Sequence, residues 1–88
     1  MFTHHAEARM QQRAISHQAV DALMAYGESR RHRGAEVCYL TRQSRSRMLK
    51  DIGKSAFLKL EKALDAYLVV GDDGAIITAG HRHHRLKF

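Results

Sequence analysis

Histidine and arginine crowd the end of this chain, AIITAGHRHHRLKF (75–88), where His81, Arg82, His84, Arg85 and Lys87 follow directly on an apolar run. Imidazole takes or gives a proton near neutral pH, and guanidinium groups neutralise phosphate oxygens through paired N–H donors. Together they suit RNA cleavage without a metal. That reaction needs a base for the 2′-hydroxyl, an acid for the leaving 5′-oxygen and cations around the dianionic phosphorane. Arg9, Arg13, Arg30, Arg31 and Arg33 extend the same basic set, and Tyr39 or Tyr67 can contribute from a strand. The plain alternative for any one of these residues is a solvated basic face. Arg42, Arg45, Arg47, Lys50, Lys59 and Lys62 are assigned to that face.

Three other chemistries compete. His81 and His83 share one face of a strand, and His4 and His5 can approach from an N-terminal helix, which would make a histidine-based zinc or nickel site. Arg82, Arg85 and Lys87 repel a cation there, and no carboxylate is near in sequence, so neither a metal nor another cofactor is the leading expectation. Gly53-Lys54-Ser55 lacks the glycine that a phosphate-binding loop needs five residues earlier, where Met48 stands, and no apolar strand precedes it. Cys38 alternates within a predicted strand and reads as a small buried hydrophobe rather than a nucleophile.

These side chains must be positioned by short elements. Thr3 caps a helix over His4–Arg13 with Ala6, Met10 and Ala14 along one stripe, and Arg9 and Arg13 point the same way from it. Ser16 caps a second helix to Tyr26 that buries Val20, Leu23 and Met24, with Ile15 and Val20 as a hydrophobic staple and Gly27 as its C′ stop. Glu28–Arg33 and Ala35–Thr41 form a hairpin turning near Gly34, whose polar first strand belongs at an edge. Gln43–Asp65 is helical, with Leu49, Ile52, Ala56, Leu60 and Leu64 as the apolar stripe and Gly53 as a point of kinking. Tyr67–Val70 is a buried strand, and Asp72-Asp73-Gly74 turns the chain into a closing strand from Ala75 to about His83. Strict alternation places Ile77, Ala79, His81 and His83 on one face of that strand, and Ile76, Thr78, Gly80 and Arg82 on the other. The expected class is α+β: N-terminal helices packed on a small twisted antiparallel sheet, in the order ααββαββ.

With 88 residues the chain amounts to one domain with a modest core, which homodimerisation would reinforce. Hydrophobic residues make up 44%, against disorder, and no apolar run reaches membrane-spanning length. The lone Cys38 and the absence of an apolar leader point to a reducing cytoplasm. A net charge of +6, with seven histidines besides, favours polyanions. RNA comes first among partners, then an acidic protein, then an anionic membrane surface.

The opening THHAEARMQQRAIS, followed by VDALMAYG, resembles the H-A-x-x-R-M-x-x-R-x-I start of a family of small bacterial domains of unknown function grouped with the RelE-like ribonuclease toxins. The ending VVGDDGAIITAGHRHHRLKF is similar to that family's closing hairpin. A V-G-H-R ending also recurs in RelE-type toxins, with Ala79 in place of the valine here. The resemblance implies a RelE-like fold, a nucleic-acid-facing surface and an antitoxin-like acidic partner. It implies catalytic roles for His81, Arg82 and His5, with His81 as general acid or base. Arg9 and Arg13, from the opening motif, would position the backbone. The position-by-position likeness ends there, and it is the basic set itself that adds Arg85 beside Arg82 to steady phosphate charge and Arg30, Arg31, Arg33 and Lys87 to the binding surface.

Overall fold

A computed structural model describes residues 2–61 and 64–82. The elements run α1 (His4–Gln12), α2 (His17–Tyr26), β1 (Glu28–His32), β2 (Ala35–Tyr39), α3 (Arg42–Lys59), β3 (Ala66–Val70) and β4 (Ile76–His81). The fold is therefore α+β in the expected ααββαββ order. The strands form one sheet, β1-β2-β3-β4, antiparallel at every step. No helix among the described residues is long and apolar enough to cross a membrane.

Each helix starts where a hydroxyl can satisfy its orphan amides. Thr3, Ser16 and Thr41 accept from the backbone N–H groups of Ala6, Ala19 and Ser44, each at 3.1 Å. The first helix ends one residue earlier than the sequence suggests, because Arg13 is its C-cap and Ala14 turns left-handed at φ 54°. The Ile15 and Ala14 amides then donate to the carbonyls of Met10 and Gln11, a Schellman closure that brings buried Ile15 against buried Met10. Ala14 thus leaves the apolar stripe and is exposed. Gly27 also departs from expectation. It is extended (φ −71°), and glycine is needed there because a β-carbon would lie 2.4 Å from the Leu23 carbonyl oxygen and 2.9 Å from that of Tyr39.

Helices α1 and α2 pack Ala6, Met10, Ile15, Ala19, Val20 and Leu23 against Cys38, Leu68, Val70, Ile76 and Ala79 of the sheet. Met24, expected inside, is 52% exposed. In α3 the buried line is Ser44 and Met48, both 0% exposed, whereas Leu49 of the expected stripe is 39% exposed. Gly53 interrupts α3 at φ 84°, ψ 164°, a conformation essentially confined to glycine. The Gly53-Lys54-Ser55 segment is therefore the kink of a helix.

A bulge resets the closing strand. Val69 pairs with Thr78 but Val70 pairs with Ile76, which leaves Ile77 as the extra residue. Ile76 (5% exposed) accordingly joins Ala79 (0%) on the helix-facing side, and Ile77 (40%) turns outward, the reverse of strict alternation. The free edge of β4 is covered by the chain's own start. Phe2 bridges Ile76 in parallel, and the Thr3 amide donates to the Ile76 carbonyl at 3.1 Å.

Candidate nucleic-acid interface

The bulge fixes where the Gly80-His81-Arg82 segment points. His81 emerges on the helix side and Arg82, the next residue, on the opposite side. His81 Nε2 lies 2.8 Å from the Arg13 carbonyl oxygen, and its Nδ1 lies 2.9 Å from Asp65 Oδ1. A carbonyl and a carboxylate only accept, so the ring satisfies both when it is the imidazolium with two N–H donors. The bond to the Arg13 carbonyl, then that to Asp65, raises the His81 pKa above its ordinary 6.5. Arg13 closes the seam from its other end by donating from Nη1 to the Ala79 carbonyl at 3.0 Å.

Arg82 looks into a different space. Its Nη2 donates to the Leu40 carbonyl at 2.7 Å, and its guanidinium lies 5.6 Å from the centre of the Tyr39 ring. It lines a cleft of about 750 Å³ with Arg30, Tyr39, Thr41, Arg42, Arg45, Ser46, Leu40, Leu49 and Phe57. Burial, followed by the neighbouring Arg45 charge, lowers the Arg82 pKa, although a guanidinium stays charged at any physiological pH. Arg45 is anchored by Nη2 donation to the Leu64 carbonyl at 2.9 Å. Each guanidinium has five N–H groups, so one bond to a carbonyl leaves donors for a ligand. Among the described residues, four guanidiniums converge on this cleft and no carboxylate lines it.

The remaining residues of the basic set scatter. Arg30 reaches the cleft, but Arg31, its neighbour on β1, points to the other face and pairs with Asp72 at 3.0 Å. Arg33 forms the hairpin turn with Gly34, both at positive φ (52° and 80°). Arg9 approaches Gln12 at 3.4 Å on α1, and Arg13 is committed to the β4 edge, so the two do not form one phosphate-binding row. His5 lies exposed in the first turn of α1, roughly two helical turns or about 12 Å along the axis from the Arg13 end that holds His81. His5 and His81 are therefore not brought together, and neither His4 nor His5 completes a site with His81. Among the described residues no three His, Cys, Asp or Glu side chains converge as metal ligands. His83, His84, Arg85, Lys87 and Lys62 lie outside the described residues. Cys38 is buried, as its alternation suggests, and burial pushes its thiol pKa up, against nucleophilic use. Tyr39 lines the cleft, whereas Tyr67 lies over Gly80.

Arg42 and Arg45 are the residues that a reading of sequence consigns to a solvated face. A signal was present. Both sit in the first turn of a helix capped by Thr41, with no acidic residue in that turn. Cations are disfavoured at that end of the helix dipole, so two arginines there mark a place where an anion would relieve the field. No family profile matches this chain, and no curated protein or solved structure matches it either.

Proposed function

We propose that this protein binds RNA, with the phosphate backbone entering the cleft between the sheet and the first half of α3. The observation that carries this is the convergence of Arg30, Arg42, Arg45 and Arg82 on one concave space with no lining carboxylate among the described residues. Such a cleft focuses positive potential and draws in a polyanion. Leu49, Phe57 and Tyr39 give it walls on which a base can rest. The test is anisotropy of a labelled single-stranded RNA over a salt series. Each phosphate neutralised contributes about −0.7 to the log–log salt slope. The Arg30→Glu/Arg42→Glu double variant is expected to weaken binding at least about tenfold, or ~1.4 kcal/mol, and to flatten that slope. Unchanged affinity in this variant would remove the cleft from the account. Salt-insensitive capture of one protein instead would favour a non-catalytic module for an acidic partner.

A catalytic version is supported by one further point. The Gly-His-Arg segment on which the RelE-like resemblance rests delivers Arg82 into this same cleft beside Tyr39. In that version the protein is a metal-independent endoribonuclease toxin of the bacterial cytoplasm, countered by an acidic antitoxin. His81 would have to release both of its bonds to serve as acid or base. Incubation with RNA in EDTA, alongside His81→Ala and Arg82→Ala, decides the matter. Loss of cleavage in both variants supports the enzyme, whereas equal cleavage by all three proteins, or none by the wild type, excludes it.

A further inference from the structure

Two cleft arginines depend on one short piece of chain outside the cleft. Arg45 Nη2 donates to the Leu64 carbonyl at 2.9 Å, and the Arg82 amide donates to the Asp65 carbonyl at 2.8 Å. The side chain of the same Asp65 accepts from His81 Nδ1 at 2.9 Å, while His81 Nε2 reaches the Arg13 carbonyl at 2.8 Å. Leu64 is buried and Asp65 is half-buried, so this dipeptide enters β3 as a fixed strut. His81 ties the strut to the end of α1. We propose that protonated His81 is a positioning residue for the cleft: it locks Leu64–Asp65, and through that segment sets Arg45 and Arg82 for the anionic ligand.

The chemistry follows from the number of protons. An imidazolium donates to both Arg13 and Asp65, but a neutral imidazole has one N–H for two obligate acceptors. Loss of the proton must therefore leave either the carboxylate or the carbonyl without its donor, with one lone pair facing another. Among the described residues, the charged groups that face the ring are Asp65, ahead of β3, which favours the cation, and Arg13, after α1, which opposes it. Arg82, the adjacent cation in sequence, has its guanidinium on the opposite side, near Tyr39. Since the pKa is raised above 6.5, the lock is complete below that value and is released as the pH climbs through the raised one. Ligand affinity should follow the same course, strong at mildly acid pH and weaker at alkaline pH.

This inference rests on the RNA-binding reading, and the experiment separates the two. RNA affinity is measured from pH 6 to pH 9 for wild type and His81→Gln, while His81 titration is followed by ring nitrogen resonances in wild type and Asp65→Asn. The wild type should lose about three- to tenfold in affinity across that range beyond whatever His81→Gln loses. His81→Gln should start at the weaker level even at pH 6, and Asp65→Asn should lower the His81 titration point. Parallel pH profiles with equal affinities for wild type and His81→Gln would overturn the positioning role while leaving RNA binding intact. If the wild type binds no RNA, the RNA reading fails, and the lock is then judged on the resonances alone. A His81 titration unmoved by Asp65→Asn would overturn it.

Discussion

The seam between α1 and β4 and the cleft beside α3 are built from the same residue types and place their charge differently. In the seam, the donors of Arg13 and His81 meet acceptors within the chain: the carbonyls of Ala79 and Arg13, and the carboxylate of Asp65. In the cleft, the guanidiniums of Arg30, Arg42, Arg45 and Arg82 line one concavity with no carboxylate among the described lining residues, although Arg45 and Arg82 each also donate to a chain carbonyl. Like charges brought together repel, so such a cluster of guanidiniums favours an anion beside it. The lesson is that charge count does not locate a binding surface. Placement does, and here one residue step, from His81 to Arg82, separates the α1–β4 seam from the cleft.

The contrast predicts that seam variants at Gly80 and Thr3 lower stability and spare RNA affinity, that cleft variants at Arg30 and Arg42 do the reverse, and that His81, which ties the seam to the support of the cleft, affects both. The largest stability loss is expected for Gly80→Val. A β-carbon there would sit 2.8 Å from the Tyr67 hydroxyl and 2.9 Å from Arg13 Nη1, so both side chains must move. Urea unfolding should show a loss of about 2 kcal/mol. A loss below about 0.5 kcal/mol would mean that the seam yields freely.

Thr3→Ala should follow, at about 1 kcal/mol. That residue both caps α1 and donates from its hydroxyl to the Ile77 carbonyl at 3.0 Å. RNA affinity should be unchanged, and a parallel fall in affinity would show that the covered edge of β4 belongs to the binding surface.

The smallest effect is electrostatic. His81 has a raised pKa, so its contribution to stability is present below about 6.5 and is lost as the pH rises through the raised value. The Asp65 side chain is 50% exposed, and solvent screening holds the difference to about 0.5–1 kcal/mol. Denaturation midpoints of wild type should fall over that window, and those of His81→Gln should not. Identical pH dependence in the two proteins would show that His81 is not bonded as described.

Much of the fold was legible because local chemistry decided it. Thr3 and Ser16 cap as their types suggest, Arg33-Gly34 supports a two-residue hairpin, and Gly53 breaks α3. The errors arose where a single residue changed phase. Ala14 took a left-handed conformation to close α1, a role usually given to glycine, and Ile77 was absorbed by a bulge that depends on pairing with β3. In α3 the buried line ran through Ser44 and Met48, because the hydroxyl of Ser44 is satisfied by Thr41 at 2.9 Å and can enter the core. The same shift released Leu49 to line the cleft.

The candidate site was legible only in part. Arg30 and Arg82 could be chosen for their type, and Tyr39 for its place on a strand, but their convergence with Arg42 and Arg45 required α3 to start at the end of β2. His81 is legible in the sequence as a titratable group beside arginine. That Asp65 and the Arg13 carbonyl would engage both of its nitrogens depended on contacts 16 and 68 residues away in sequence. Periodicity carries no information at that range.

RNA is proposed to enter the cleft and not the seam. The most direct measurement is a proton–nitrogen correlation titration of the protein with a short single-stranded RNA. Perturbations are predicted to gather at the amides of Thr41, Arg42, Arg45, Ser46 and Arg82, to weaken as salt is added, and to spare Glu7 and Gln11 on α1. Perturbations centred on α1 and the outer edge of β4, with the amides at the start of α3 unmoved, would contradict the account.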